Sequence, residues 1–142
     1  MKSLRYVKAE DRVELPAAAG KREALEPDRL FGVWMNTNSA GRGIAKVVVM
    51  ARGADLMVRA FGADDSGLFD WGEVRADYLY ANGISSSLAA GFTARYESDF
   101  SQTDLQANWN QGLLVLATFT TFTDGSRRSN YFSREFFHLS QT

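Results

Sequence analysis

From Gly32 onward the chain is a succession of short segments in which apolar and polar residues alternate, each ended by a turn-forming cluster. A period of two places every second side chain on the same face, which is the pattern of a strand buried on one side. The clusters are hairpin chemistry. Asn82-Gly83 and Asp124-Gly125 tolerate positive φ, and Arg52-Gly53-Ala54-Asp55 and Asn110-Gln111-Gly112 supply glycine at the turn. No stretch carries a long helical period. Strands joined by hairpin-length turns make an up-and-down antiparallel meander, and a meander of about eight strands removes its open edges by closing into a barrel. The expected fold is therefore all-β, an antiparallel up-and-down barrel of about eight strands with room for side chains or one small ligand.

In chain order the expected strands are Gly32 to Asn38, Ile44 to Ala51, Leu56 to Ala63 and Leu68 to Tyr80, the last kinked at Gly72. Then come Ser87 to Ser98, Asp104 to Trp109, Leu113 to Phe122 and Asn130 to Leu139. The run Val47-Val48-Val49 is β-branched and strongly strand-forming. Ahead of the barrel domain, taken as 29–142, lies a charged leader, 1–28. Pro16-Ala17-Ala18-Ala19-Gly20 breaks it, and Arg5-Tyr6-Val7-Lys8 and Arg12-Val13-Glu14-Leu15 alternate like a short arm. Pro27 prepares a 3₁₀ turn over Pro27 to Phe31.

Composition narrows the function classes. Ten Phe, five Tyr and three Trp furnish a large aromatic core. Absence of cysteine removes disulfides, thiol nucleophiles and thiolate metal sites, and a single histidine removes a histidine-rich zinc site. No cofactor and no metal is expected. The formal charge of −1 lacks the footprint of a nucleic-acid binder. Met1 to Val7 has no apolar stretch behind Lys2 and Arg5, and no run reaches the roughly 20 apolar residues of a membrane span. The expectation is a cytoplasmic protein with no membrane partner.

Turning the more apolar parity of each strand inward gives a candidate lumen. It comprises Trp34 and Asn36; Ala45, Val47 and Val49; Leu56, Val58 and Ala60; Phe92, Ala94 and Tyr96; Leu105, Ala107 and Trp109; and, on the last strand, Phe132, Arg134, Phe136 and His138. The Leu68 to Tyr80 segment is ambiguous. If Trp71 faces inward, strict alternation carries Glu73 and Arg75 with it; otherwise Asp70, Gly72 and Val74 face inward and the charges are a solvated face.

Gly32-Val33-Trp34, with a turn before it and a basic residue on the last strand, resembles the calycin group of lipocalins, fatty-acid-binding proteins and avidins. The resemblance implies a lipocalin-like barrel in which Arg134 covers Trp34. More narrowly, Gly32-Val33-Trp34-Met35-Asn36, Arg42-Gly43-Ile44 and Asp70-Trp71-Gly72-Glu73-Val74 resemble a family of largely uncharacterised bacterial lipocalin-like proteins. That family carries a Cys-His-Pro loop where this chain has Asp64-Asp65-Ser66-Gly67, so any metal or disulfide role of the loop is absent. Trp34-x-Asn36 also matches the spacing of the avidin biotin asparagine, but the rest of the biotin set does not line up.

Three functions follow. The first is binding of a small hydrophobic molecule in the lumen by Trp34, Asn36, Val58, Trp71, Phe92, Tyr96, Trp109, Phe132, Arg134 and Phe136. Arg134 is then either the arginine packed on Trp34 or a guanidinium that clamps an acidic group of the ligand. The second is a cofactor-independent cyclase or isomerase of bacterial secondary metabolism, with Glu73, Tyr96 and Arg134 as its catalytic groups. The third is a structural barrel with a filled lumen, its leader exchanged between the subunits of a homodimer. His138, Asp64-Asp65 and Arg127-Arg128 read as surface groups.

Overall fold

The alternating segments form nine strands. The structure, a computed structural model, describes residues 25–41 and 43–140. The leader segments around Tyr6 and Val13, and Arg42, lie outside the described residues. The strands are β1 (Gly32–Asn36), β2 (Ile44–Arg52), β3 (Asp55–Asp64), β4 (Gly67–Arg75), β5 (Tyr78–Ala81), β6 (Ala89–Glu97), β7 (Ser101–Asn110), β8 (Leu113–Phe122) and β9 (Tyr131–Ser140). They make one antiparallel sheet in the order β4-β3-β2-β1-β9-β8-β7-β6-β5, curled into a half-barrel.

The count is nine, not eight, because the segment expected from Leu68 to Tyr80 breaks at Ala76-Asp77 into β4 and β5. The break has a clear purpose in the hydrogen bonding. Ala76 N–H donates to Leu56 O on β3 (2.8 Å), and Asp77 N–H donates to Thr93 O on β6 (2.7 Å). Consecutive amides thus reach opposite neighbours, and the chain changes partner from β3 to β6. This brings the two ends of the sheet together.

Gly72 is a bulge rather than the break. Glu73 pairs with Arg59 and Asp70 with Phe61, so β4 holds one residue too many between them. Gly72 absorbs it at φ +91°, where a side chain would be strained. The bulge removes the parity dilemma of this strand. Trp71 and Val74 both pack on the core, while Asp70 and Glu73 both lie on the outer face with Arg59 and Arg52. A second irregularity between Ile44 and Lys46 buries Ile44, and Ala45 is only half-buried, against expectation.

One end of the half-barrel is sealed. The 3₁₀ turn Asp28–Leu30 lies beneath it, and the Trp34 indole N–H donates to Leu30 O at 3.0 Å. Arg29 lies 4.5 Å from the centre of the Trp109 ring. Glu26 bridges to Leu88, with Glu26 N–H on Ser87 O (2.9 Å) and Ala89 N–H on Glu26 O (2.8 Å). Above this seal the space is filled by Trp34, Phe92 and Phe137, each 1% exposed, with Val47, Val58, Leu105 and Leu114.

The last strand is turned the other way from expectation. Asn36 pairs with Phe137 and Trp34 with Leu139, which sets Ser133, Glu135 and Phe137 on the concave face. Phe132, Arg134, Phe136 and His138 are therefore on the outside, and all four are exposed. Apolar content could not decide the matter, because both parities of this strand carry aromatic residues. Half-buried polar pairing decides it: Glu135 meets the Asn36 amide, and Ser133 meets the Thr118 hydroxyl at 2.6 Å.

Candidate functional site

At the end opposite the seal, the concave face does not close. The turns β3–β4, β6–β7 and β8–β9 all fall there, and each delivers aromatic residues to its mouth. Phe69, Trp71, Tyr96, Phe100, Phe122 and Tyr131 surround a cavity of about 430 Å³. Its polar floor is the buried pair Thr103 and Thr120, whose hydroxyls lie 3.2 Å apart. One step below them Leu105 is completely buried. The cavity is thus an aromatic cup set on a hydroxyl floor above the filled core.

Tyr96 holds the cup wall. From β6 its hydroxyl reaches the opposite strands. It accepts from Ala60 N–H at 2.9 Å and donates to Gly72 O at 2.8 Å. These two groups are available because the β4 bulge interrupts the β3–β4 ladder there. Trp71 meets the Tyr96 ring edge-on, with centroids 5.4 Å apart. Burial pushes the Tyr96 hydroxyl above its ordinary pKa, while the Ala60 bond works against the rise. Gly62 supplies the space for the other wall. A Cβ there would lie 2.6 Å from Phe69 and 2.8 Å from the Trp71 indole nitrogen.

A guanidinium lies over two of the lining rings. Arg128, in the β8–β9 hairpin, has its Cζ 4.2 Å from the centre of Phe122 and 5.4 Å from that of Phe100. Asp124 accepts from its Nη2 at 2.8 Å and the Ser126 hydroxyl from its Nε at 3.3 Å. Hydrogen bonds from the Ser126 side chain and backbone hold the Asp124 carboxyl below the usual carboxylate range, with Arg128 adding to them. The acidic groups on the rim lie near arginines, Arg95 being shared between Asp104 at 2.7 Å and Glu97. Arg59 Nε lies 3.0 and 2.9 Å from the two Asp70 oxygens, and Arg95 lies 3.8 Å from Glu97.

Only Trp71 and Tyr96 of the expected ligand-binding set line this cup. Trp34, Val58 and Phe92 belong to the filled core, and Trp109 sits at the sealed end under Arg29. Asn36 faces the concave side, but its side chain is fully occupied. Its amide donates to Ile44 O (3.0 Å) and Glu135, and its carbonyl accepts from Asn38 N–H (2.8 Å). Arg134 neither covers Trp34 nor enters the lumen. It lies 5.8 Å from the Phe136 ring and borders an outer-face groove of about 450 Å³ over Gly91 and Ala117. Phe132, 69% exposed, stacks on Phe119 on that outer face.

The three expected catalytic groups are not brought together. Glu73 points outward and pairs with Arg52 at 2.8 Å, Arg134 is outside on β9, and the Tyr96 hydroxyl is engaged by backbone. Among the described residues no group of three or more His, Cys, Asp or Glu is placed to hold a metal ion, and no helix is long and apolar enough to cross a membrane.

The residues that the sequence reading missed are Phe69, Phe100, Phe122, Tyr131, Thr103, Thr120 and Arg128. A signal existed: in a meander, alternate turns lie at the same end, and Phe69, Phe100, Phe122 and Tyr131 all flank such turns. No family model, curated protein or solved structure matches the chain.

Proposed function

We propose that this protein binds a small, mostly apolar molecule in the aromatic cup. The observation that carries the reading is a cavity of about 430 Å³ walled by six aromatic side chains and set on a hydroxyl pair. A concave apolar site with a few convergent polar groups is the usual form of a small-molecule pocket. The outer-face groove is larger by a little, but its lining mixes small residues with the polar Asn82, Gln106, Asn108 and Arg134, so it is less apolar than the cup. The cyclase or isomerase reading draws no support from Glu73, Tyr96 and Arg134, which occupy three different surroundings. A filled barrel describes the sealed end and leaves the cup unexplained. The Gly-x-Trp on β1 and the 3₁₀ turn beneath it favour a calycin-like barrel as the parent architecture.

Native mass spectrometry of protein isolated from its own source tests the reading. The expected result is a retained small molecule that a Thr120→Trp variant, with its cup filled, no longer carries. A clean apo mass, together with no binding of the neutral naphthalene probe described below, overturns it.

A further inference from the structure

This inference rests on the cup being a binding site and concerns the chemistry of its ligand. Six aromatic side chains wall the cup, a pair of hydroxyls floors it, and the carboxylates Asp70 and Glu97 border it. At the rim, Asp70 pairs with Arg59, and Glu97 shares Arg95 with Asp104. Arg128 is paired as well, with Asp124, but it keeps donors to spare. Its guanidinium carbon lies 4.2 Å from the centre of Phe122 and 5.4 Å from that of Phe100, against two of the cup walls, and its side chain remains 51% exposed. A guanidinium carries five N–H donors in a rigid fork. The bonds to Asp124 and Ser126 take one N–H each from Nη2 and Nε and hold the fork in place, leaving both Nη1 hydrogens and the second Nη2 hydrogen, so the end-on edge can present two parallel N–H groups. Arg127 is the next residue, so the segment Asp124 to Arg128 holds two cations against one carboxylate.

We propose that Arg128 anchors the acidic group of an amphipathic ligand whose flat apolar body lies among the aromatic walls of the cup. A carboxylate or sulfonate suits the fork because two parallel N–H bonds can meet its oxygens. The aromatic rings beneath the guanidinium restrict its motion, so less side-chain freedom is lost on binding. The ligand class is a small aromatic or alicyclic acid, held head-up at the rim.

A matched pair of fluorescent probes tests this. 8-Anilino-1-naphthalenesulfonate carries the anion, and N-phenyl-1-naphthylamine has the same ring skeleton without it. Both are titrated into the full chain, into Arg128→Gln, and into Thr120→Trp, each variant first checked for an unchanged circular-dichroism spectrum. Wild type should bind both probes and the anion more tightly. Arg128→Gln should weaken the anion about tenfold or more, the scale of one charge-assisted hydrogen bond, and leave the neutral probe within about twofold. Arg128→Lys should restore part of the loss, since it keeps charge without the fork. If Arg128→Gln changes both probes alike, or neither, the anchor is overturned while the cup stands. If wild type binds neither probe, or Thr120→Trp binds both undiminished, the cup reading falls and the anchor with it.

Discussion

At the residue scale, two side chains carry opposite ends of the molecule. Trp34 is 1% exposed and tied to Leu30 O, so the sealed end is built on it. Trp34→Ala removes a buried aromatic and leaves a cavity, a change that costs about 3–5 kcal/mol. Denaturant melts should show that loss, and one below about 1 kcal/mol would deny Trp34 its place in the core. Tyr96 is the counterpart at the open end. Tyr96→Phe leaves Ala60 N–H without its acceptor, which costs about 1–3 kcal/mol for a buried donor. The same residue sets an alkaline limit. Because burial raises its pKa in the folded state above the ordinary 10.0, the unfolded chain loses this proton first. The contribution is present below pH 10.0 and is lost as pH rises through the folded value. Melting midpoints should therefore fall above that pH more steeply for wild type than for Tyr96→Phe; equal slopes would contradict the burial argument.

At the scale of elements, a single extra residue in β4 organises the cup. The Gly72 bulge lets Trp71 and Val74 both face inward, sends Asp70 and Glu73 outward, and frees the backbone groups that Tyr96 bridges. Gly72→Ala puts a Cβ on a residue at φ +91°, a conformation that costs about 1–2 kcal/mol for an L side chain. The expected variant is less stable by that amount and binds the neutral naphthylamine more weakly, because the Trp71 and Tyr96 walls depend on the bulge. Unchanged binding in titration would separate bulge from cup. The strands themselves were legible in the sequence, since alternation and turn glycines are local signals. So was the inward parity of Leu56, Val58 and Ala60, because charged Asp55 and Arg59 mark the opposite face even though Met57 and Phe61 share it. Parity failed where local chemistry was balanced. Strand β9 has aromatics on both faces, and its orientation comes from partners distant in sequence, Asn36 and Thr118. The β4 bulge also had no unique sign, because a glycine in a strand reads equally as kink or bulge. The cup was hidden for a related reason. Its residues lie at strand ends, where assigning faces by alternation has the fewest neighbours to draw on.

At the scale of the whole molecule, the half-barrel is polar along its axis, and its three tryptophans report on separate levels. Trp34 and Trp109 stand at the sealed end, and Trp71 stands in the cup wall. Fully buried Phe92, Leu105 and Leu114 lie within the filled space of the barrel. Interiors are packed at crystal-like density, so a ligand in the cup has no open path past these side chains. Its effect on intrinsic fluorescence should therefore come from Trp71 alone. Trp71→Phe keeps an aromatic wall while removing the indole. In that variant a non-fluorescent apolar ligand should still raise the melting midpoint, because a molecule that binds only the folded state stabilises it by mass action. The ligand-induced change in tryptophan emission should disappear, however. If the change persists, the ligand reaches Trp34 or Trp109, and the lumen opens to the sealed end in solution. If the midpoint no longer responds while emission from the remaining tryptophans is unchanged, the indole itself, and not merely an aromatic surface, is what the ligand grips. The two readouts together assign the binding level within the barrel without requiring the ligand's identity.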